Sequence, residues 1–428
     1  MSHVERVYQL LENELGLELR RLPDGVTFER QLALLSPGKE FAIFGAGMSG
    51  QSLQAYLARK GCKVIAFIDN NSQLDGTRVN DIPVYSPQLL GRDGLRERPV
   101  LIASMHYHDI ARQLSADYEL ESFFDYHCIH QFLLEDNIMG QGYGSELIEH
   151  LAANYDKILA TAELWDDRDS RWRFFRYLYL RLYFLTPDYL EPNVFQSDRC
   201  IEAWAQQKIR ACLNLPAPVN VTMSAMLQEN IYDYGGKGWI GIEPGDHVVD
   251  GGAWLGDSTL NFAIQATPKG KVWAFEPDAN KCRQLIDNLE IVGMHDIVDV
   301  VQSGLWSTNS TLSFSVSEDY HGAGSFISES GGKQITVSSL DQFLKQQNTK
   351  VDFIKLDIEG SELEAMKGAE QTIREQQPKL AICLYHKMQD PYEIPLYLKS
   401  LNANYRIHFK HRGVVPTDAI LFAAPRDR

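Results

Sequence analysis

Cysteine is sparse and scattered in this chain: Cys62, Cys128, Cys200, Cys212, Cys282 and Cys383, with no C-x-x-C pair among them. That spacing argues against a zinc ribbon and a disulfide framework, and makes a reducing, cytoplasmic setting the expectation. Long apolar runs are missing too. A bilayer span needs roughly 18 or more apolar residues, and the nearest approach, Phe174 to Leu185, is broken by Arg176 and Arg181. The opening MSHVERVYQLLENELG interleaves charge with apolar residues and does not read as a signal peptide. Basic residues are in deficit: 41 Lys and Arg against 57 Asp and Glu leave a net charge of −16. Such a surface repels phosphate backbones and anionic lipid, so neither nucleic acid nor a membrane is an expected partner.

What is present is enough for several cores. The 428 residues, at roughly 150 per domain, suggest two or three domains. Residues 1–36 read as a helical segment, with Val4, Val7, Leu10, Leu11 and Leu15 at helical spacing. Residues 37–135 alternate strand and helix patterns in the manner of a small Rossmann-like domain, with apolar runs at Phe41–Phe44, Val64–Ile68, Pro99–Ser104 and Phe123–Phe124. Residues 136–237 show no strand alternation and read as a helical connector. They contain the block from Arg168 to Leu185, where arginines and aromatics interleave at helical spacing. That block reads as a helix packed between two domains, its arginines pairing nearby acids, although such a pattern can also frame a phosphate or sugar site.

Residues 238–428 begin a second α/β alternation. Strands are expected at His247–Asp250, Lys271–Glu276, Val298–Gln302, Phe353–Asp357, Lys379–Tyr385, Tyr405–His411 and Ala419–Ala424. A short loop with Gly413 and Pro416 joins the last two, which predicts an antiparallel hairpin. The insertion from Ser307 to Ser338, with Gly322, Gly324, Gly331 and Gly332, reads as a hairpin or lid. A parallel sheet closed by such a hairpin is the class I methyltransferase arrangement, a Rossmann-like α/β fold.

The chemistry concentrates at three stretches. In Val248–Ser258 an acid closes a strand, glycines allow a tight turn against a ligand, and Asp257 or Ser258 can cap the next helix. Some 24 residues after Gly252, Glu276 ends the next strand, where a carboxylate can accept both ribose hydroxyls. The first loop lacks the G-x-G-x-x-G spacing suited to a pyrophosphate. A nucleoside with a cationic end, such as S-adenosylmethionine, suits it better.

DGGAWLGD at Asp250–Asp257, WAFEPD at Trp273–Asp278, FIKLDIEGSELEAMKGA at Phe353–Ala369 and the tail PKLAICLYH, in that order, resemble the FkbM family of S-adenosylmethionine-dependent methyltransferases. The resemblance covers roughly residues 240–425. It implies methyl transfer, usually to a hydroxyl oxygen of a sugar or secondary metabolite. By it, Asp250, Gly252, Ala253, Gly256, Asp257, Ser258, Glu276, Pro277 and Asp357 would form the cofactor pocket, with Ser303, Gly304 and Leu305 meeting the adenine. Trp254 is bulky where many methyltransferases have glycine.

Asp357 and His386 each end a strand at the carboxyl edge, where parallel sheets bind ligands. A sugar hydroxyl needs help to lose its proton. His386 is the first choice of base, since imidazole titrates near neutrality, with Asp357 and Glu359 beside it. Glu359 and Glu362 also suit a helix N-terminus on charge alone. Asp357, Glu359 and His386 could also take a divalent metal; the sequence does not decide this, and no metal is assigned.

In the first domain, Gly45, Gly47 and Gly50 do satisfy G-x-G-x-x-G, and Asp69 ends the next strand. NAD or a nucleotide-sugar could bind there, but no Y-x-x-x-K pair follows. The leading expectation is an O-methyltransferase acting on a small molecule or glycan, with homodimerisation left open. A nicotinamide-dependent sugar oxidoreductase or epimerase and a non-enzymatic cofactor-binding scaffold are the alternatives.

Overall fold

The computed structural model describes residues 2–16, 19, 37–59, 61–91, 98–103, 107–118, 123–125, 144–183, 240–315, 326–327, 333–411 and 419–426. The connector beyond Tyr183, the four lid glycines and the loop with Gly413 and Pro416 lie outside these residues. No helix among the described residues is long and apolar enough to cross a membrane.

Helix α1, His3–Leu15, starts where the Ser2 side chain accepts the Glu5 N–H and stops at Gly16, whose φ of +67° lets the chain reverse. It buries Val7, Tyr8 and Leu11. A six-stranded sheet follows, in the order β3-β4-β2-β1-β5-β6. Its strands are β1 (Glu40–Phe44), β2 (Lys63–Ile68), β3 (Arg78–Val79), β4 (Ile82–Tyr85), β5 (Val100–Ile102) and β6 (Phe123–Asp125). Helices α2 (Met48–Arg59) and α3 (Tyr107–Tyr118) connect parallel strands. The β3–β4 hairpin was not foreseen. Asn80 and Asp81 both take positive φ, at 49° and 61°, the backbone of a two-residue hairpin turn that Asn and Asp tolerate.

Helices α4 (Gly144–Ala153), α5 (Tyr155–Ala162) and α6 (Arg168–Tyr183) lead to a seven-stranded sheet. Its order is β16-β17-β15-β14-β7-β8-β9, from β7 (His247–Gly251), β8 (Lys271–Phe275), β9 (Val298–Val301), β14 (Phe353–Leu356), β15 (Lys379–Cys383), β16 (Tyr405–Lys410) and β17 (Ile420–Pro425). All its pairings are parallel except those of β17 with β15 and β16. The result is the mixed α/β architecture with a closing antiparallel hairpin. Strands β10 (Gly304–Leu305), β11 (Ser310–Ser315), β12 (Phe326–Ile327) and β13 (Lys333–Ser338) form a separate four-stranded sheet, so the insertion is more than one hairpin.

One face of the seven-stranded sheet is covered by α7 (Asp257–Ala266) and α8 (Ala279–Val292). On the other face lie α9 (Leu340–Gln347), α10 (Glu362–Lys367), α11 (Glu370–Glu375) and α12 (Asp390–Leu401), in one continuous core with α1, α4, α5 and α6. The arginine-rich helix α6 therefore packs beside β16 and α1, where Phe174 and Tyr177 meet Phe409. Arg171 forks onto Glu14 at 2.7 and 2.9 Å, and Arg173 pairs with Asp169 at 2.8 Å. Arg176 instead approaches His411 at 3.4 Å. The block expected to bridge two domains serves as a wall of this core.

Candidate active site

The site forms where β7, β8, β14 and β15 end along one edge. At β7 the chain turns through Gly252, at φ +79°, and a Cβ there would fall 1.8 Å from the Asp357 carbonyl oxygen. Only glycine fits, because the loop after β7 lies directly on the end of β14. Trp254, also at positive φ, 47°, holds its place by donating its backbone N–H to Glu276 Oε2 at 3.1 Å. Gly256, at φ +100°, precedes α7. It occupies the N-cap with no side-chain cap, so neither Asp257 nor Ser258 caps the helix. Asp257 is instead its first residue, and Ser258 turns inward.

Asp250 lies beneath this loop, fully buried. Its Oδ2 accepts hydroxyl donors from Ser258 at 2.8 Å and Thr259 at 2.6 Å, and its Oδ1 meets Lys355 Nζ at 3.0 Å. Lys355 also donates to the Gly252 carbonyl at 2.8 Å. The cation beside Asp250, Asp357 and Asp257 keeps its proton firmly, with a pKa above the ordinary lysine range. Asp250 and Ser258 thus shape the pocket from below. Lys355 was missed as a site residue, yet it was legible: in K-x-D, alternating strand geometry puts Lys355 and Asp357 on one face, and Lys355 pairs with Asp250 in register across β7 and β14.

Glu276 closes β8 and is buried. Oε2 accepts Trp254 N–H and Oε1 accepts Asp278 N–H at 2.9 Å, leaving each oxygen a further lone pair. Burial pushes its pKa upward. Burial likewise pushes Asp257 up to about 6, with Asp250 and Asp357 adding to it and Lys355 opposing. The Ser303 hydroxyl reaches the Thr336 carbonyl at 3.2 Å and the Ser338 hydroxyl at 2.9 Å, tying the loop to β13. Gly304 and Leu305 form a strand of the second sheet.

At the ends of β14 and β15 stands an acidic group around one imidazole. His386 is 1% exposed, with Nε2 3.3 Å from Asp357 Oδ1 and 3.4 Å from Glu359 Oε2, and Nδ1 2.8 Å from Glu362 Oε1. Burial alone would lower its pKa, but the three carboxylates, led by Glu362, raise it to about 10. An imidazole that keeps its proton at neutral pH has no lone pair to offer, which counts against His386 as the base. Tyr385 donates to Asp357 Oδ1 at 2.9 Å. Glu362, read from sequence as a dipole residue, instead faces His386 and accepts the Ile358 N–H at 2.8 Å. Glu359 and Gly360 both take positive φ, 55° and 89°, bending the loop over the histidine.

In the first domain, a Cβ on Gly50 would fall 1.9 Å from the Gly45 carbonyl oxygen and one on Gly45 2.7 Å from that of Ala103, whereas Gly47 faces open space. Gly50, the last glycine of the motif, serves close helix–strand packing. Asp69 accepts one backbone N–H on each carboxylate oxygen, from Ala46 at 2.9 Å and Asn71 at 2.8 Å, the same pattern as Glu276.

Residues 250–407 match the family model of the methyltransferase FkbM domain. This part of the chain is similar to the FkbM methyltransferase domain. A methyltransferase FkbM from Methylobacillus flagellatus KT has a similar fold over 98% of this chain and 99% of that chain, with a TM-score of 0.63 and 20% identity. An O-methyltransferase from Bacillus cereus in complex with SAH covers 53% of this chain and 99% of its own, at 14% identity and a TM-score of 0.31. No curated protein matches the chain. The loop after β7 and the acidic edge meet where Gly252 lies against the Asp357 backbone.

Proposed function

We propose that the protein is an S-adenosylmethionine-dependent O-methyltransferase whose acceptor is a hydroxyl of a sugar, glycan or small metabolite. The observation that carries this is the contact between Gly252 and the Asp357 backbone, which sets the cofactor loop directly beside the acidic edge. The residues suit the cofactor: a glycine turn without room for a Cβ, a buried acid with free lone pairs at Glu276, and carboxylates near the cationic end. When bound, S-adenosylmethionine supplies an electrophilic methyl group on a sulfonium.

The chain's residues do the rest. Glu276 accepts ribose hydroxyls, Gly252 and Ala253 give the backbone close approach, and the Asp250–Lys355 pair fixes the loop from below. Gly304 and Leu305 border the adenine end. Methyl transfer is an in-line displacement, so alignment of donor and acceptor provides most of the rate. Asp357, 22% exposed at its side chain, accepts the proton of the acceptor hydroxyl, and Glu359 lines the same opening. Calorimetry with S-adenosylmethionine tests the reading. The full chain should bind one equivalent, and Glu276→Ala should weaken binding at least about tenfold through loss of the ribose hydrogen bonds. Absence of binding at millimolar ligand would refute it.

A further inference from the structure

Buried polar groups are normally matched by partners, and each exception calls for a reason. Three exceptions converge at the acidic edge. Among the described residues, Nδ1 and Nε2 of His386 and Oε2 of Glu362 are buried atoms without an aligned hydrogen bond. Their residues are 1% and 0% exposed. Donor atoms of Asp357, Glu362 and His386 all lie within 4.8 Å of one another, and Glu359 Oε2 stands 3.4 Å from Nε2. Three carboxylates thus surround one imidazole, with a fourth, Asp390, also buried and set close to Glu362 and His386. The buried acids among them, Glu362 and Asp390, are costly to ionise unless a cation compensates them.

We infer that His386, Asp357 and Glu362, with Glu359 at the mouth, form a binding site for a first-row divalent cation beside the cofactor loop. One imidazole nitrogen, which gives up its proton to solvent as the cation binds, makes with the carboxylate oxygens a mixed donor set that suits Mn²⁺, Fe²⁺ or Zn²⁺ better than an all-oxygen ion such as Ca²⁺. The arrangement is built by the fold. Asp357 and His386 follow adjacent parallel strands, Glu362 opens α10, and the left-handed turn at Glu359 and Gly360 closes the loop between them. Asp357 and Glu359 keep 22% and 28% of their side-chain surface exposed, so the site opens toward solvent. A use for the cation, drawing electron density from an acceptor hydroxyl so that its proton leaves more readily, rests on the proposed methyltransferase reading. The site itself does not.

The test is a Mn²⁺ titration of the full, chelator-treated chain, followed by loss of the free-ion electron paramagnetic resonance signal. One Mn²⁺ per chain is expected to bind saturably. Asp357→Asn, Glu362→Gln and His386→Gln should each weaken binding by about tenfold or more, while thermal unfolding of the metal-free proteins reports that the variants are folded. Asp357→Asn, at a partly exposed position, keeps the test decisive if the buried variants fail to fold. No saturable binding up to millimolar Mn²⁺, or binding that folded variants leave unchanged, overturns the site. Parallel S-adenosylmethionine calorimetry separates the two proposals: cofactor binding without Mn²⁺ binding sinks the cation alone, and the reverse sinks the methyltransferase reading alone.

Discussion

At the scale of single residues, Asp257 is a carboxylate held against its preference. Burial, with help from Asp250 and Asp357, lifts its pKa to about 6, whereas an unfolded aspartate titrates near 3.9. The folded state therefore binds the proton more tightly, so its contribution is fully present below about pH 3.9 and is lost as pH rises through about 6. Two pKa units correspond to about 3 kcal/mol, reduced by its partial exposure and by its favourable place at a helix N-terminus. Asp257→Asn should accordingly stabilise the protein by about 1–2 kcal/mol at pH 8 and by almost nothing at pH 4. Thermal unfolding at the two pH values checks this. A variant with no gain at pH 8, or an equal gain at both, would show that the carboxylate is not strained.

At the scale of elements, strands β7 and β14 are joined by more than their ladder. Lys355 and Asp250 sit opposite each other in register, 2% and 0% exposed at their side chains. Removing one partner of such a pair strands a buried charge, at a cost of about 3–5 kcal/mol. Lys355→Met should therefore be strongly destabilising and should free the Gly252 carbonyl it holds. Adding Asp250→Asn to Lys355→Met should recover part of the loss, since the buried charge at Asp250 is removed while Asp257 and Asp357 still lack their cation. A double-mutant cycle in urea with no coupling between the sites would contradict this. The same strands mark what the sequence made legible. β-branched runs ending in acids or glycine reveal parallel strands and their functional edge, so β7, β8, β14 and β15 and the turn at Gly252 could be placed in advance. Asp250 and Ser258 could not be distinguished from ligand contacts, because burial beneath a loop depends on partners such as Lys355 more than 100 residues away. Glu362 was hidden for a related reason. An acid in a first helical turn has a sufficient local explanation, and its pairing with His386 exists only once β15 lies beside β14.

At the scale of the whole molecule, the buried apolar residues divide in a way that chain order does not suggest. Helix α1 precedes the first sheet, yet Val7, Tyr8 and Leu11 belong to the core that runs through α4, α6 and the seven-stranded sheet. The first sheet has two small cores of its own, one on each face, around Phe41 and Phe67 and around Phe44 and Ile102. Arg171 reinforces the long-range connection by clasping Glu14 from α6, and Arg6 lies over the ring of Tyr155 at 4.1 Å. The two bodies of core should therefore melt as separate cooperative units, with α1 following the C-terminal one. Leu11→Ala removes a side chain that is 1% exposed, which costs about 2–4 kcal/mol in a well-packed core. In calorimetry that loss should lower the transition of the larger unit by about 5–10 °C and leave the other in place. Leu53→Ala, a core position of the first sheet, should do the opposite. If Leu11→Ala moved the transition that Leu53→Ala moves, α1 would belong with its neighbour in sequence, and the core read from the packing would be wrong.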